Sequence, residues 1–123
     1  MADGNIRVLL VDDEVGFLDV LTKRLGKRGL VVTSAPSGTE GIQVLRKNDF
    51  DVAVLDLKLE DMDGIEVLEI FRKMVPDLPV NMLTGHGSEQ AANEGLAHGA
   101  FDYLLKPCDL DELIAKINEA VNQ

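Results

Sequence analysis

Short apolar runs alternate with longer segments of helical period along the chain, and this alternation limits the possible folds more than any other feature. Four of the runs are residues 6–11, 52–55, 80–83 and 101–105. Such runs, separated by amphipathic segments, are typical of repeated strand–helix units around a parallel sheet. Because the runs are almost continuously apolar, we expect helices to cover both faces of that sheet. The sequence therefore predicts an α/β fold built from five strand–helix pairs.

Several predicted helices carry start and stop signals. Gly29 follows the leucine stripe of the first helix and is a plausible stop signal. Ser37 with Glu40 resembles a capping box, and Asp109 with Glu112 gives a comparable start signal near the carboxyl terminus. These signals place the helix boundaries to within a few residues.

The segment 88–98 is expected to form the least stable helix. Its residues are mostly small, which leaves Leu96 as the only large apolar anchor, and Gly95 lies in its interior. A glycine in a helix costs about 0.5–1 kcal/mol relative to alanine. Two interpretations stay open: the helix moves when an adjacent site changes, or its small residues permit close packing on the sheet.

Length and charge narrow the class of protein. With 123 residues and 46% apolar content, we expect one domain over residues 1–123 with a core at about 6–121. The chain has 22 acidic and 12 basic residues, a net charge of −10, which argues against direct nucleic-acid binding. One cysteine, no signal-peptide pattern and no membrane-length apolar run predict a reducing, cytoplasmic location without membrane attachment.

Each of the four apolar runs is followed by, or ends near, a residue suited to phosphate chemistry. The first is followed by Asp12 and Asp13, and the others lead to Asp56, Thr84 and Lys106. The carboxyl ends of parallel strands meet at one edge of the sheet. We therefore expect three carboxylates, one hydroxyl and one ammonium group to share a crevice.

Four motifs, in this order and spacing, resemble the receiver domain of two-component response regulators over essentially the whole chain. They are LVDDE at 10–14, Asp56 with the DG pair at 63–64, LTGH at 83–86, and GAFDYLLKP at 99–107. The resemblance, which includes the chemotaxis response regulator, implies a flavodoxin-like (βα)5 doubly wound sandwich. Its five-stranded parallel sheet would have the order 2-1-3-4-5, so strands one and three would flank the switch point.

The resemblance also implies a chemistry. Asp56 would take a phosphoryl group from a phosphohistidine on a sensor histidine kinase or phosphotransfer protein, forming an acyl phosphate. Mg²⁺, for which Mn²⁺ can substitute, would be bound directly by Asp13 and Asp56. Asp12 would act mainly through metal-bound water, and the backbone carbonyl of Lys58 would complete the protein ligands. Slow self-catalysed phosphorylation and dephosphorylation would follow, in a signalling protein and not an enzyme.

By the same resemblance, the remaining site residues would form a switch. Lys106 would pair with Asp56 before reaction and with the phosphoryl oxygens after it, and the peptide bond between Lys106 and Pro107 would be cis. Thr84 would donate its hydroxyl to a phosphoryl oxygen, and Tyr103 would turn inward to fill the space vacated. The surface of the fourth helix, fifth strand and fifth helix would then change and control an output domain or protein, with homodimerisation as one consequence of phosphorylation.

Some residues have simpler interpretations that stay open. The alternative for Tyr103 is an ordinary half-buried strand aromatic. His86, implied to lie at the mouth of the site and to tune hydrolysis, is also a candidate surface residue. Cys108 reads as an inert packed thiol in preference to a redox group, and His98 as a cation at a helix end.

Two residues depart from the receiver pattern. Glu60 stands four residues after Asp56, where receivers usually carry proline, so the loop loses a φ restraint and gains an anion. That anion would either tighten metal attraction or slow an anionic phosphodonor. Asn81 interrupts an apolar strand and marks either a local polar contact or an exposed strand end.

Three other classes of protein share parts of this pattern. A haloacid-dehalogenase-like phosphatase has Asp-x-Asp-x-Thr after its first strand, whereas this chain has DDEVG at 12–16. A flavodoxin-like flavin carrier needs a neutral phosphate loop there, and Asp12 with Asp13 would repel a flavin phosphate. A degenerate receiver that acts as a phosphate-independent protein-binding module is the remaining alternative.

Overall fold

A computed structural model of the chain describes residues 5–85 and 89–123. Its five strands form one parallel sheet in the order β2-β1-β3-β4-β5, which confirms the predicted flavodoxin-like topology. The strands are β1 (Arg7–Val11), β2 (Val31–Ala35), β3 (Val52–Asp56), β4 (Val80–Thr84) and β5 (Asp102–Leu105). The helices are α1 (Val15–Lys27), α2 (Gly38–Lys47), α3 (Gly64–Met74), α4 (Glu89–Ala97) and α5 (Leu110–Val121).

Two apolar clusters lie on opposite faces of the sheet, as the almost continuous apolar strands predict. Successive side chains of a strand point to opposite faces. Leu9 of β1 joins the cluster beneath α2 and α3, whereas Leu10 joins the cluster beneath α1 and α5. All of β3 is buried, because it lies in the middle of the sheet with helices on both sides.

The predicted helix signals are largely confirmed. Ser37 caps α2, and its side-chain oxygen accepts a hydrogen bond from the backbone N–H of Glu40 at 3.1 Å. Gly29 follows α1 with φ of 90°, a conformation that glycine adopts without strain. Asp109 occupies the N-cap position of α5 but makes no side-chain capping bond.

Helix α4 packs on the sheet through its small residues. The prediction that Leu96 anchors this helix is wrong, because Leu96 is 36% exposed while Ala92 and Gly95 are buried. A Cβ atom at Gly95 would overlap the sulfur of Met82 in β4. The helix lies so close to the strand that no larger side chain fits at the contact, which confirms the close-packing interpretation.

Two polar residues are explained by their contacts. Asn81 is only 2% exposed, and its Nδ2 donates to the carbonyl of Lys116 in α5 at 3.2 Å. It therefore marks a local polar contact, and the alternative of an exposed strand end is wrong. His98 lies directly after α4, with Nδ1 3.0 Å from Oε2 of Glu69 in α3.

In the part of the chain that the structure describes, every helix is too short or too polar to cross a membrane.

Candidate functional site

The carboxyl ends of β1 and β3 bring three carboxylates together. The two strands are neighbours in register, Val11 opposite Leu55, so Asp12 and Asp56 follow side by side. One oxygen from each of Asp12, Asp13 and Asp56 can be chosen so that all three atoms lie within 4.8 Å of one another. Asp12 and Asp56 are buried, and Asp13 is half-buried. Hard carboxylate oxygens grouped in this way suit a cation such as Mg²⁺.

The environment of Asp56 disfavours its charge when no cation is bound. Burial raises the pKa of its carboxyl group above the usual range. The backbone N–H of Lys58, which donates to Oδ1 at 3.0 Å, opposes that shift, whereas the neighbouring charge of Asp12 adds to it. Like charges ~4 Å apart repel by roughly 4 kcal/mol at an effective dielectric of 20. A divalent cation would remove this repulsion.

Lys106 supplies a positive charge to the same site, but its nearest partners differ from the predicted one. Its Nζ lies 2.7 Å from Oδ2 of Asp12 and 2.9 Å from Oε1 of Glu14, and only 3.4 Å from Oδ2 of Asp56. Burial lowers the pKa of Lys106, but the bonds to Asp12 and Glu14 outweigh that effect and hold it above the usual range. The predicted pair with Asp56 is therefore the longest of three contacts, because Nζ sits between several carboxylates and approaches Asp12 most closely.

Phe17 completes the surroundings of Lys106. The centroid of its ring lies 4.5 Å from Nζ, within the range of a cation–π contact. Neither Phe17 nor Glu14 was assigned a role from the sequence. The sequence signal for them is that Glu14 directly follows the aspartate pair and that Phe17 lies in the first turn of α1.

Thr84 ends β4 next to the strand that leads to Lys106. Thr84 is opposite Leu105 in register, and its carbonyl accepts a hydrogen bond from the backbone N–H of Lys106 at 2.7 Å. Its side chain is fully buried, and Oγ1 has no partner among residues 5–85 and 89–123. An unsatisfied buried hydroxyl costs about 1–3 kcal/mol. Within the described residues, this hydroxyl therefore has an unused capacity to donate a hydrogen bond.

Other predicted residues lie around this centre. Tyr103 is half-buried and packs against the cluster that contains Met82, its partner in register. The peptide bond between Lys106 and Pro107 is cis, as predicted. Cys108 is half-buried, and burial together with the charges of Glu112 and Asp109 raises the pKa of its thiol, which fits a packed thiol. His86 lies outside the described residues, so its predicted role in hydrolysis stays a prediction.

The loop after β3 makes contacts that the sequence did not predict. The backbone N–H of Glu60 donates to Oδ2 of Asp13 at 2.8 Å. The carboxylate of Asp61 accepts from the backbone N–H groups of Gly38 and Thr39 at 3.0 and 2.9 Å, and from the Thr39 hydroxyl at 2.8 Å. The loop is therefore tied both to the carboxylate cluster and to the start of α2.

The centre opens to solvent through a cleft of about 310 Å³. Its lining brings together all three loops that follow β1, β3 and β4, and the end of β5: Asp13, Glu14, Asp56, Lys58, Glu60, Gly85 and Lys106. The carboxylate of Asp56 is almost completely buried, but Asp56 is among the residues that line this cleft, so a group from outside can reach it there.

The comparisons with known proteins agree with this geometry. Residues 8–118 match the family model described as the response regulator receiver domain. The chain is 40% identical to the transcriptional regulatory protein GlrR of Escherichia coli over 116 residues, which are 94% of this chain and 26% of GlrR. It is 42% identical over 106 residues to the photosynthetic apparatus regulatory protein RegA of Cereibacter sphaeroides, covering 86% of this chain and 58% of RegA.

A solved structure gives the same answer for the fold. A response regulator receiver domain protein from Clostridium thermocellum superposes with a TM-score of 0.91 at 34% identity, over 95% of this chain and 94% of that one. The chain therefore belongs to the response regulator receiver domain family of two-component systems. It spans about a quarter of the length of GlrR.

Proposed function

We propose that the chain is a phosphorylation switch that accepts a phosphoryl group on Asp56 from a phosphohistidine of a sensor histidine kinase or phosphotransfer protein. The observation that carries the proposal is the position of Asp56. It is 4% exposed, grouped with Asp12 and Asp13, and 3.4 Å from the ammonium group of Lys106 at the base of an open cleft.

The transfer is a displacement at phosphorus. The bond between phosphorus and the histidine nitrogen breaks while a bond forms to a carboxylate oxygen of Asp56, and the imidazole keeps the electron pair and takes up a proton. Such transfers depend on positioning and charge stabilisation. Mg²⁺, when bound, would supply positive charge to the transferring oxygens. Asp13 and Asp56 would hold it directly, Asp12 through water, and the carbonyl of Lys58 would be the remaining protein ligand.

Lys106 would change partners during the reaction. In the unmodified protein its closest contacts are Asp12 and Glu14, at 2.7 and 2.9 Å. A phosphoryl group on Asp56 adds negative oxygens next to Nζ, which already lies 3.4 Å from that carboxylate. A lysine is a mobile point charge suited to such a change. The hydroxyl of Thr84, for which the described part of the chain offers no partner, would donate to another phosphoryl oxygen.

The output would pass through the surface of α4, β5 and α5. Movement of the Thr84 side chain would leave space that the half-buried Tyr103 fills, and α4 would shift with it. GlrR is named a transcriptional regulatory protein, and the chain matches only about a quarter of it. We therefore propose that the α4–β5–α5 surface of this chain controls an output domain or protein. A phosphorylation-dependent homodimer is one form that this control takes.

Intact-protein mass spectrometry after incubation with acetyl phosphate and Mg²⁺ tests the proposal. Wild type should gain one phosphoryl group, whereas Asp56→Asn and a sample without metal should gain none or little. An adduct of equal size on Asp56→Asn would contradict the assignment of the acceptor. Folded wild type that accepts phosphate neither from acetyl phosphate nor from histidine kinases would favour the phosphate-independent binding module instead.

A further inference from the structure

We propose that the backbone N–H of Glu60 positions Asp13 for metal binding, an inference that rests on the proposed function. The amide nitrogen lies 2.8 Å from Oδ2 of Asp13, which is 47 positions earlier in the chain. This bond joins the loop after β1 to the loop after β3, and both loops line the cleft. It is made by the residue that replaces the proline usual in receivers.

A proline at position 60 has no N–H to donate. The substitution by glutamate therefore adds a hydrogen-bond donor at the edge of the carboxylate cluster, as well as the charge of its side chain. The charge is separable from the donor, because glutamine keeps the donor and removes the charge, whereas proline removes both and also restrains φ.

Asp13 needs such a partner because its neighbours repel it. Its carboxylate lies with those of Asp12 and Asp56, and it is the least buried of the three. Without a restraint, like-charge repulsion would favour rotamers that point Asp13 to solvent. A hydrogen bond to an ionised carboxylate is among the stronger ones in proteins. A bond at Oδ2 leaves Oδ1 for a cation.

The donor is itself held in place. Asp61, the next residue, accepts three hydrogen bonds from Gly38 and Thr39 at the start of α2. On the other side, the backbones of Lys58 and Asp63 form an isolated antiparallel β-bridge, and Asp63 caps α3 by accepting a hydrogen bond from the N–H of Ile65 at 3.0 Å. The Glu60 amide is thus fixed by two helices before any metal binds. Partners that orient metal ligands typically contribute about 10–100-fold in affinity.

Calorimetric titration with Mg²⁺ at constant ionic strength tests the inference on wild type, Glu60→Gln and Glu60→Pro. We expect the dissociation constant of Glu60→Gln to stay within about threefold of wild type, and that of Glu60→Pro to rise at least about tenfold above Glu60→Gln. Equal affinities of Glu60→Gln and Glu60→Pro would overturn the inference while leaving the proposed function standing. Wild type without measurable Mg²⁺ binding would overturn the metal step of the proposed function and this inference with it.

A second measurement covers the case in which Glu60→Pro does not fold. Amide hydrogen exchange by NMR compares the N–H of Glu60 in wild type and in Asp13→Ala, both without metal. Loss of the acceptor should speed exchange of this amide at least about tenfold, whereas the amide of Ile65, bonded to Asp63, should keep its rate. An unchanged rate at Glu60 would overturn the inference.

Discussion

Helices α3 and α4 pack on the same face of the sheet, but they are held in very different ways. Helix α3 buries Val67, Leu68 and Phe71 completely, whereas α4 buries only Ala92 and Gly95. Full burial of a large apolar side chain contributes about 1.5–3 kcal/mol. One side of the site is therefore anchored by large buried side chains, and the other by close backbone contact alone.

The strongly anchored helix α3 and the weakly anchored helix α4 adjoin different residues of the site. Helix α3 begins at Gly64, where a Cβ atom would overlap the backbone of Leu57, so the loop after Asp56 fits tightly against the helix. Helix α4 is the next helix after Thr84, whose hydroxyl has no partner among residues 5–85 and 89–123. A change at Thr84 is therefore next to the weakly anchored helix, while the carboxylates and their loop stay with the strongly anchored one.

The largest expected change in the free energy of unfolding comes from a substitution in α3, the strongly anchored helix. Phe71→Ala should lower the free energy of unfolding by about 3–5 kcal/mol, because it empties a fully buried aromatic site. Leu96→Ala in α4 should lower it by about 1 kcal/mol or less, since that residue is 36% exposed. Urea denaturation of both variants measures the difference. Similar losses of unfolding free energy in the two variants would contradict the difference in anchoring between α3 and α4.

Metal binding should be the next largest effect, and it concerns the carboxylate side alone. Mg²⁺ at a hundred-fold excess over its dissociation constant should stabilise the native state by about 2.7 kcal/mol. Asp13→Ala should abolish most of this gain in thermal unfolding. A metal response that is the same in Asp13→Ala and wild type would remove Asp13 from the ligands.

Gly95→Ala tests the close contact between α4 and β4. Overlap with the Met82 sulfur should destabilise the protein by about 1–3 kcal/mol, of which the better helix propensity of alanine offsets about 0.5–1 kcal/mol. Gly26→Ala in α1 is the matched control, because a Cβ there meets nothing within 4 Å and should stabilise the protein by about 0.5–1 kcal/mol. Stabilisation by both substitutions would show that α4 is not in close contact with β4.

The smallest predicted effect is a pH-dependent one at Asp56. Its folded-state pKa is raised, chiefly by burial, so its charge destabilises the metal-free native state at neutral pH. The penalty falls as pH drops through the raised pKa and disappears below the ordinary value. Asp56→Asn should therefore raise the melting temperature of the metal-free protein at neutral pH, and raise it by less in acid. A variant that melts below wild type at neutral pH would contradict this sign.

The sequence predicted the elements and the meeting of the carboxylates because both follow from patterning and parallel topology. The strand order needed the resemblance to receivers, since apolar runs do not state their neighbours. The Glu60 contact was missed because a backbone N–H leaves no mark in the sequence. The closest partners of Lys106 were missed because its long side chain can reach several carboxylates, and only the folded structure determines which of them it approaches most closely. The prediction that Leu96 anchors α4 was wrong because this helix packs on the sheet through its small residues, so its largest side chain does not face the core.

Hydrogen exchange measured by mass spectrometry tests the central claim most directly, that phosphorylation of Asp56 acts on the weakly anchored side. Wild type and Asp56→Asn would each be compared with and without acetyl phosphate in the presence of Mg²⁺. We predict changed exchange in wild-type peptides that cover α4 and β5, little change in those that cover α3, and no change in Asp56→Asn. Changes concentrated in α3 while α4 and β5 keep their rates, or the same changes in Asp56→Asn, would contradict it.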